Sequence, residues 1–217
     1  MAALAEIGTG FVLLTSIRIC CICLALLVPP AFAGFDEAAA AFAAGDYDKA
    51  LKETRPLAEK GDPRSQYAMG VLYENGFAVT KDLKQAAAWY LKAAKQGNSD
   101  AQYNLGAMHE HGIGMPVNYS EAARWYRPAA EQGDIDALSN LGVLYQSGQG
   151  VPQNKVLAMA LYNVSVAYAG NGKTQARQNR QVLANQMPLN DVKKAQSLTE
   201  ELLKPGNLKP RLETYLK

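Results

Sequence analysis

The chain repeats itself every 36 residues, and no other feature limits its fold so strongly. Gly61, Gly97 and Gly133 share one column, Met69-Gly70, Leu105-Gly106 and Leu141-Gly142 a second, and Gly76, Gly112 and Gly148 a third. Ala50, Ala86, Ala122 and Ala158 form a fourth, and the pairs Trp89-Tyr90, Trp125-Tyr126 and Leu161-Tyr162 a fifth. A fixed period in this range marks a stacked array, because a unit this small buries its apolar face only against its neighbours.

Each period holds two helical patterns. Ala101, Leu105, Met108 and His109 lie on one face of a helix, and Ala137, Leu141, Leu144 and Tyr145 repeat that face; this is helix A. Ala122, Trp125, Tyr126, Ala129 and Ala130 give helix B by the same spacing. Asp62, Asn98 and Asp134 stand where helix A needs an N-cap, and Asp46, Asp82, Asn118 and Asn154 do so before helix B. Gln85 and Glu121, three residues past their caps, complete the pattern of a capping box. Gly76, Gly112 and Gly148 suit the left-handed residue that ends helix A. Gly70, Gly106 and Gly142 lie inside helix A, where each costs about 1 kcal/mol relative to Ala. A neighbouring helix, expected to be the one carrying the alanine column, must therefore come too close for a side chain. Pro56 and Pro128 share a column inside helix B, at a cost of about 3 kcal/mol, so a kink or a separate last turn is expected there.

Read together, the units run A-x-x-x-L-G-x-x-Y-x-x-G-x-G-V-P and A-x-x-W-Y-x-x-A-A-x-x-G, which resembles the Sel1-like repeat, a relative of the tetratricopeptide repeat with a longer loop between its helices. The resemblance implies an all-α fold, a right-handed α/α solenoid of helix pairs closed by a C-terminal helical cap. Residues 62–172 hold three units, and residues 34–61, with Gly45-Asp46-Tyr47 and Pro56-Leu57-Ala58, look like the short first helix pair of such arrays, with a tighter turn. The third unit departs from the pattern where Val164-Ser165-Val166 replaces the usual alanines. Residues 173–204 read as two capping helices broken at Met187-Pro188, the second capped by Asn190, with Ala195, Leu198 and Leu202 as its apolar face. Residues 205–217, with Gly206 and Pro210, are expected to form a loose tail.

The first 33 residues are of another kind. Arg18, the apolar run Ile19 to Val28, Pro29-Pro30 and Ala31-Phe32-Ala33 spell a secretory signal peptide cleaved after Ala33, so the expected location is periplasmic or secreted and membrane contact is limited to this leader. The competing reading is an uncleaved anchor over Phe11 to Val28; Arg18 interrupts it, and a span needs about 20 apolar residues. The lead before Arg18 is long, and a start at Val12, Leu13 or Leu14 would shorten it. Cys20, Cys21 and Cys23 all fall in the leader, so residues 34–217 offer no thiol for a disulfide, a nucleophile or a metal. Net charge is +2 with Lys and Arg dispersed, which is not the pattern of a nucleic-acid binder.

Candidate chemistry is sparse. Gly170-Asn171-Gly172-Lys173-Thr174 imitates the end of a phosphate-binding loop, but Ala167 stands where the motif needs glycine and a helix precedes it where a strand is required. His109-Glu110-His111 is the single histidine cluster, and ligands at i and i+2 of a helix diverge; Tyr73 and Tyr145 in the same column mark His109 as a packing residue. The paired carboxylates Asp46 with Asp48 and Asp134 with Asp136 sit at caps. No catalytic, cofactor or metal residue is assigned, and none of the common hydrolase or dinucleotide signatures occurs past residue 33.

What remains is the face of helix A opposite its apolar stripe. In related tetratricopeptide arrays this face lines a concave groove for extended peptides, and the resemblance assigns partner binding to Arg64, Tyr67, Glu74, Tyr103, Asn104, Glu110, Asn140 and Gln146, with Ser139 beside the tyrosines. Leu105→Ala is expected to be costly and Glu110→Ala nearly silent. The function implied is that of an exported adaptor for a protein or peptide partner, in envelope signalling, exopolysaccharide regulation or host interaction. The rivals are an envelope hydrolase acting on peptidoglycan or a related amide, and a structural subunit that pairs with itself.

Overall fold

The structure, a computed structural model, describes residues 33–172 and 174–215; the expected leader, apart from Ala33, lies outside these. Among the described residues eleven helices follow one another: α1 (Ala33–Ala43), α2 (Tyr47–Glu59), α3 (Pro63–Asn75), α4 (Leu83–Lys95), α5 (Ser99–His111), α6 (Tyr119–Glu131), α7 (Ile135–Ser147), α8 (Lys155–Ala169), α9 (Gln175–Ala184), α10 (Leu189–Leu202) and α11 (Leu208–Tyr215). From α1 to α8 each helix packs on the next, and α8 is then covered by α9 and α10. The result is an all-α solenoid in which α3, α5 and α7 are the A helices and α4, α6 and α8 the B helices.

The stripes read from the periodicity are the core. Met69 and Leu72, Leu105 and Met108, and Leu141 and Leu144 are buried on successive A helices, Leu105 and Met108 in one cluster with Ala86 and Tyr90 of the preceding B helix, and Leu141 and Leu144 with Ala122 and Tyr126. His109 is half-buried, its Nδ1 enclosed without a hydrogen-bond partner, and burial lowers its pKa against the opposing pull of Glu121. Each N-cap forms as expected: Asp62 accepts from the amide of Ser65, Asn98 from Ala101, Asp134 from Ala137 and Asn118 from Glu121. Gly76, Gly112 and Gly148 end the A helices at φ of 76°, 69° and 75°.

Several local expectations are corrected. The capping boxes do not close, because the cap amide turns back to helix A: Asp82 N donates to the Tyr73 carbonyl at 3.0 Å, Asn118 N to His109 at 2.8 Å and Asn154 N to Tyr145 at 2.8 Å. Glu121 instead pairs with Arg124 at 3.2 Å. The long loop of each unit is thus closed by one backbone bond. Pro56 and Pro128 lie inside α2 and α6 without ending them, each followed by one more turn to its C-cap. Asn190 is the second residue of α10 rather than its cap; Pro188 occupies that place, its carbonyl accepting from Asp191 N at 2.9 Å. The tail expected to be loose forms α11, because Leu212 finds a fully buried site and Leu208 packs against the same core.

The helix-interior glycines are approached, as expected, by the helix that carries the alanine column, and the contact is made by its tyrosine. A Cβ at Gly106 would lie 2.5 Å from Cδ1 of Tyr126, one at Gly142 would lie 2.6 Å from Cε1 of Tyr162, and one at Gly70 would meet the Tyr90 ring as closely. The close neighbour is therefore the flat face of the B-helix tyrosine. The alanine column lines the same seam, and the Ala158 carbonyl is 3.3 Å from the position of a Gly142 Cβ. Without the glycine the ring could not lie down, and its hydroxyl could not reach the far side of helix A.

Candidate functional site

That far side is where the ring hydroxyls emerge. Tyr90 donates to Glu74 Oε2 at 2.6 Å, Tyr126 to Glu110 Oε2 at 2.6 Å and Tyr162 to Gln146 Oε1 at 2.8 Å. Each is a B-helix tyrosine passing beneath the glycine of its own A helix to a side chain at that helix's C-terminal end. Asn140 Nδ2 of the next unit then donates to the Tyr126 hydroxyl at 3.1 Å, and Asn104 hydrogen-bonds the Tyr90 hydroxyl one unit earlier. Tyr67 and Tyr103 complete each cluster, their rings 5.6 Å and 5.8 Å from those of Tyr90 and Tyr126.

Burial, followed by the hydrogen bond and charge of Glu74 or Glu110, raises the pKa of Tyr90 and of Tyr126 well above that of free tyrosine, with the asparagine opposing. Tyr67 and Tyr103 are raised first by burial and then by carboxylates on either side. For Tyr67 these are Asp100 of the following unit and Glu74 of its own; for Tyr103 they are Asp136 and Asp134 of the following unit and Glu110 of its own. The phenols therefore stay protonated at neutral pH and act as donors with fixed orientation.

The matching repeats now decide the family. A family model described as "Sel1 repeat" matches residues 63–98, 99–134 and 135–165. The chain carries three Sel1 repeats. Its fold is similar to a Sel1 repeat protein from Oxalobacter formigenes, with TM-score 0.64 and 31% identity over 72% of this chain and 66% of that one. It is also similar to a protective antigen of uropathogenic Escherichia coli strains displaying an SLR fold, with TM-score 0.66 and 27% identity over 77% of this chain but 35% of that one. The chain thus spans less than two thirds of these relatives' length. No curated protein matches it. Sel1 repeats are typically scaffolds for protein interaction.

Against this geometry the eight expected partner-binding residues divide. Tyr67, Asn104, Tyr103 and Asn140 do gather along one side of the A helices, half-buried and linked across unit boundaries. Glu74, Glu110 and Gln146 join the same clusters, each already accepting from a buried tyrosine. Glu110→Ala is accordingly expected to have a cost, since it would remove the acceptor of the Tyr126 hydroxyl. Arg64 stands apart, 3.7 Å from Asp62 and stacked 4.3 Å over Phe35 of α1. Ser139 is buried, so the row of phenols stops at the second repeat.

Two features escaped the sequence reading. Asn179 of α9 hydrogen-bonds Tyr162 and takes over at the cap the part that Asn104 and Asn140 play earlier; it lies off the 36-residue register, so no column signals it. Gln66 and Gln102 are buried, donate to the Ala58 and Ala94 carbonyls at 3.2 Å and 3.1 Å, and accept from Gln96 and Gln132 at 2.7 Å and 2.8 Å. These four glutamines do occupy two matching columns, which was the available signal.

Proposed function

We propose that this chain is an exported adaptor that captures a protein or peptide partner on the A-helix side of its Sel1 repeats. The observation that carries the reading is the pair of clusters Tyr67–Tyr90–Glu74–Asn104 and Tyr103–Tyr126–Glu110–Asn140, in which internal bonds hold half-exposed rings and amides in a repeating geometry. A surface fixed in advance loses little conformational freedom on binding, and phenol rings give contact area with few rotamers to freeze. Export rests on the leader pattern of residues 1–33.

Alanine at Tyr67 and Tyr103 would also strip packing from Tyr90 and Tyr126, so the test is site-specific photo-crosslinking. A photoreactive residue at position 103, with Ala88 on the exposed side of α4 as control, is expected to give a discrete adduct from 103 alone in envelope fractions. Equal labelling from both positions, or none from 103, would overturn the surface assignment. Intact mass of the envelope product is expected to begin at Gly34, and a product retaining residues 19–28 would overturn export.

A further inference from the structure

Charge on the Sel1 repeats is divided between the two helix types. On the A side, α5 and α7 carry Asp100, Glu110 and Asp136 and contain neither Lys nor Arg. On the B side, α4 carries Lys84, Lys92 and Lys95 with no acid, and the two arginines of α6 share that helix with Glu121 and Glu131. The B-side cations are partly spent internally, Lys92 lying 3.8 Å over Trp89 and Arg124 pairing with Glu121. Asp100 and Asp136 are exposed and, among the described residues, take part in no ion pair. A chain with a net charge of +2 thus presents carboxylates without a lysine or arginine along α5 and α7, whereas on α3 the column of Asp100 holds Arg64, which lies 3.7 Å from Asp62 and 4.3 Å over Phe35.

The placement of these acids is periodic as well as one-signed. Asp100, Tyr103, Asn104 and Glu110 share one side of α5, with Asp100 in the first turn and Glu110 in the last. Asp136 occupies the first turn of α7 in the same register, and α7 touches α5 directly. A half-buried phenol ring is therefore flanked by a carboxylate from its own unit and one from the next. This happens twice: Tyr67 between Glu74 and Asp100, and Tyr103 between Glu110 and Asp136. A ring face beside two carboxylates suits a lysine ammonium or an arginine guanidinium, by cation–π attraction and charge pairing together.

The geometry points to a cationic partner: an extended segment bearing Lys or Arg at every third residue, laid across the A helices with one basic side chain at Tyr67 and another at Tyr103. The spacing follows from packing. Packed helices lie about 8–10 Å apart, and an extended chain in the polyproline II form advances about 3.1 Å per residue with three residues per turn, so every third side chain points the same way and carries one basic group to the next site. The lysines of α4 disfavour the same segment on the B side of the first repeat. This inference rests on the adaptor reading and names the chemistry of its partner.

The test uses the purified protein and a fluorescent decapeptide with Lys at every third position in a Gly-Ser background, beside its Glu counterpart. The Lys peptide is expected to bind and to weaken steeply as salt rises from about 10 mM to 1 M, where the screening length falls from about 30 Å to 3 Å; the Glu peptide is expected not to bind. The double variant Asp100→Asn/Asp136→Asn removes exposed charges outside the core and is expected to weaken the Lys peptide about tenfold. Asp191→Asn, which breaks the Lys194 pair on α10, leaves binding unchanged. Equal binding of both peptides, or an undiminished affinity of the double variant, would overturn the inference. Crosslinks from position 103 without Lys-peptide binding would remove the charge assignment and leave the adaptor reading standing. Lys-peptide binding without those crosslinks would do the reverse.

Discussion

The first two Sel1 repeats and the third hold their neighbours by different chemistry. In the first two, a buried glutamine ties each A helix backwards to a carbonyl of the preceding helix, and a second glutamine from the following helix end completes the pair. In the third, Leu138 and Tyr168 occupy those columns, and Ser165 donates instead to the Ile135 carbonyl at 2.8 Å. The surroundings account for the change. The B helices of units one and two are each followed by another Sel1 unit, a near-copy that could slip, and the glutamine at each B-helix end forms a directional bond that penalises a wrong register because it leaves a buried amide unpaired. The third repeat meets α9 and α10, which no other unit resembles, and Leu157, Met159, Leu161 and Val164 of α8 are buried beneath them. Shape alone identifies that neighbour. The end of periodicity thus accounts for the lapse at Tyr168, whereas Leu138 lies on α7, which still packs on α6 of the second repeat.

The hydrophobic frame common to all units carries the largest effect. Leu105→Ala and Leu141→Ala remove equivalent buried side chains and are each expected to cost about 2–5 kcal/mol in chemical denaturation. Leu141 lies in the larger core, continuous with the cap, whereas Leu105 belongs to a separate cluster shared by α4 of the first unit and α5 of the second. Leu141→Ala is therefore expected to lower the whole transition. Leu105→Ala should broaden it, as in arrays whose units begin to melt independently. Identical transitions from both would mean that the two regions unfold as one.

Exchanging the seam residues probes the comparison directly. Leu138→Gln buries an amide with no glutamine opposite and is expected to cost about 1–3 kcal/mol. Gln102→Leu keeps the volume and leaves Gln132 with its bond to the Pro128 carbonyl at 3.2 Å, so its cost should stay within about 1 kcal/mol. If Gln102→Leu is the costlier change, the glutamine pair is a source of stability rather than of register.

Much of this was legible from the repeats themselves. The repeated columns of Gly, Ala, Leu and Asp or Asn dictate helix pairs, their caps and their inward faces, because burial and capping depend on position along one helix. What lay between helices was less accessible. Helical periodicity indicates that Gly106 faces a close neighbour, but the crossing of α5 and α6 decides that Tyr126, and not Ala122, fills the gap. The same crossing carries the Tyr126 hydroxyl to Glu110, so a glutamate that looks solvated on a helical wheel is the acceptor for a buried donor. Residues 208–215 gave too little signal: Leu208 and Leu212 are two apolar positions in a stretch broken by Pro205, Gly206 and Pro210, and α11 forms because the cap and α6 offer it a surface. The candidate surface was legible as a set of columns, whereas its internal bonds depended on that packing.

The finest distinction between the units lies in the acceptor of each tyrosine. Tyr90 and Tyr126 give their protons to glutamates, whereas Tyr162 gives its proton to the neutral Gln146. All three pKa values are raised in the folded chain, in each case first by burial. The unfolded chain therefore ionises these phenols first, near pH 10. Above that pH unfolding releases protons that the folded state retains, so the stabilising contribution is fully present below about pH 10 and is lost as pH rises towards the folded values. Each such phenol adds up to about 1.4 kcal/mol per pH unit to that slope. Tyr126→Phe removes one titrating group along with a charge-assisted bond, so it is expected to lower stability at pH 7 by about 1–2 kcal/mol and to flatten the loss above pH 10. Tyr162→Phe forfeits a neutral bond and should cost about 1 kcal/mol or less at pH 7, with a similar flattening. Denaturation midpoints of the three proteins between pH 7 and about 11 separate the two contributions. Parallel curves for Tyr126→Phe and the parent would show that the buried phenol does not govern alkaline unfolding, and equal costs at pH 7 would show that the glutamates at the first two units add nothing that Gln146 does not supply at the third.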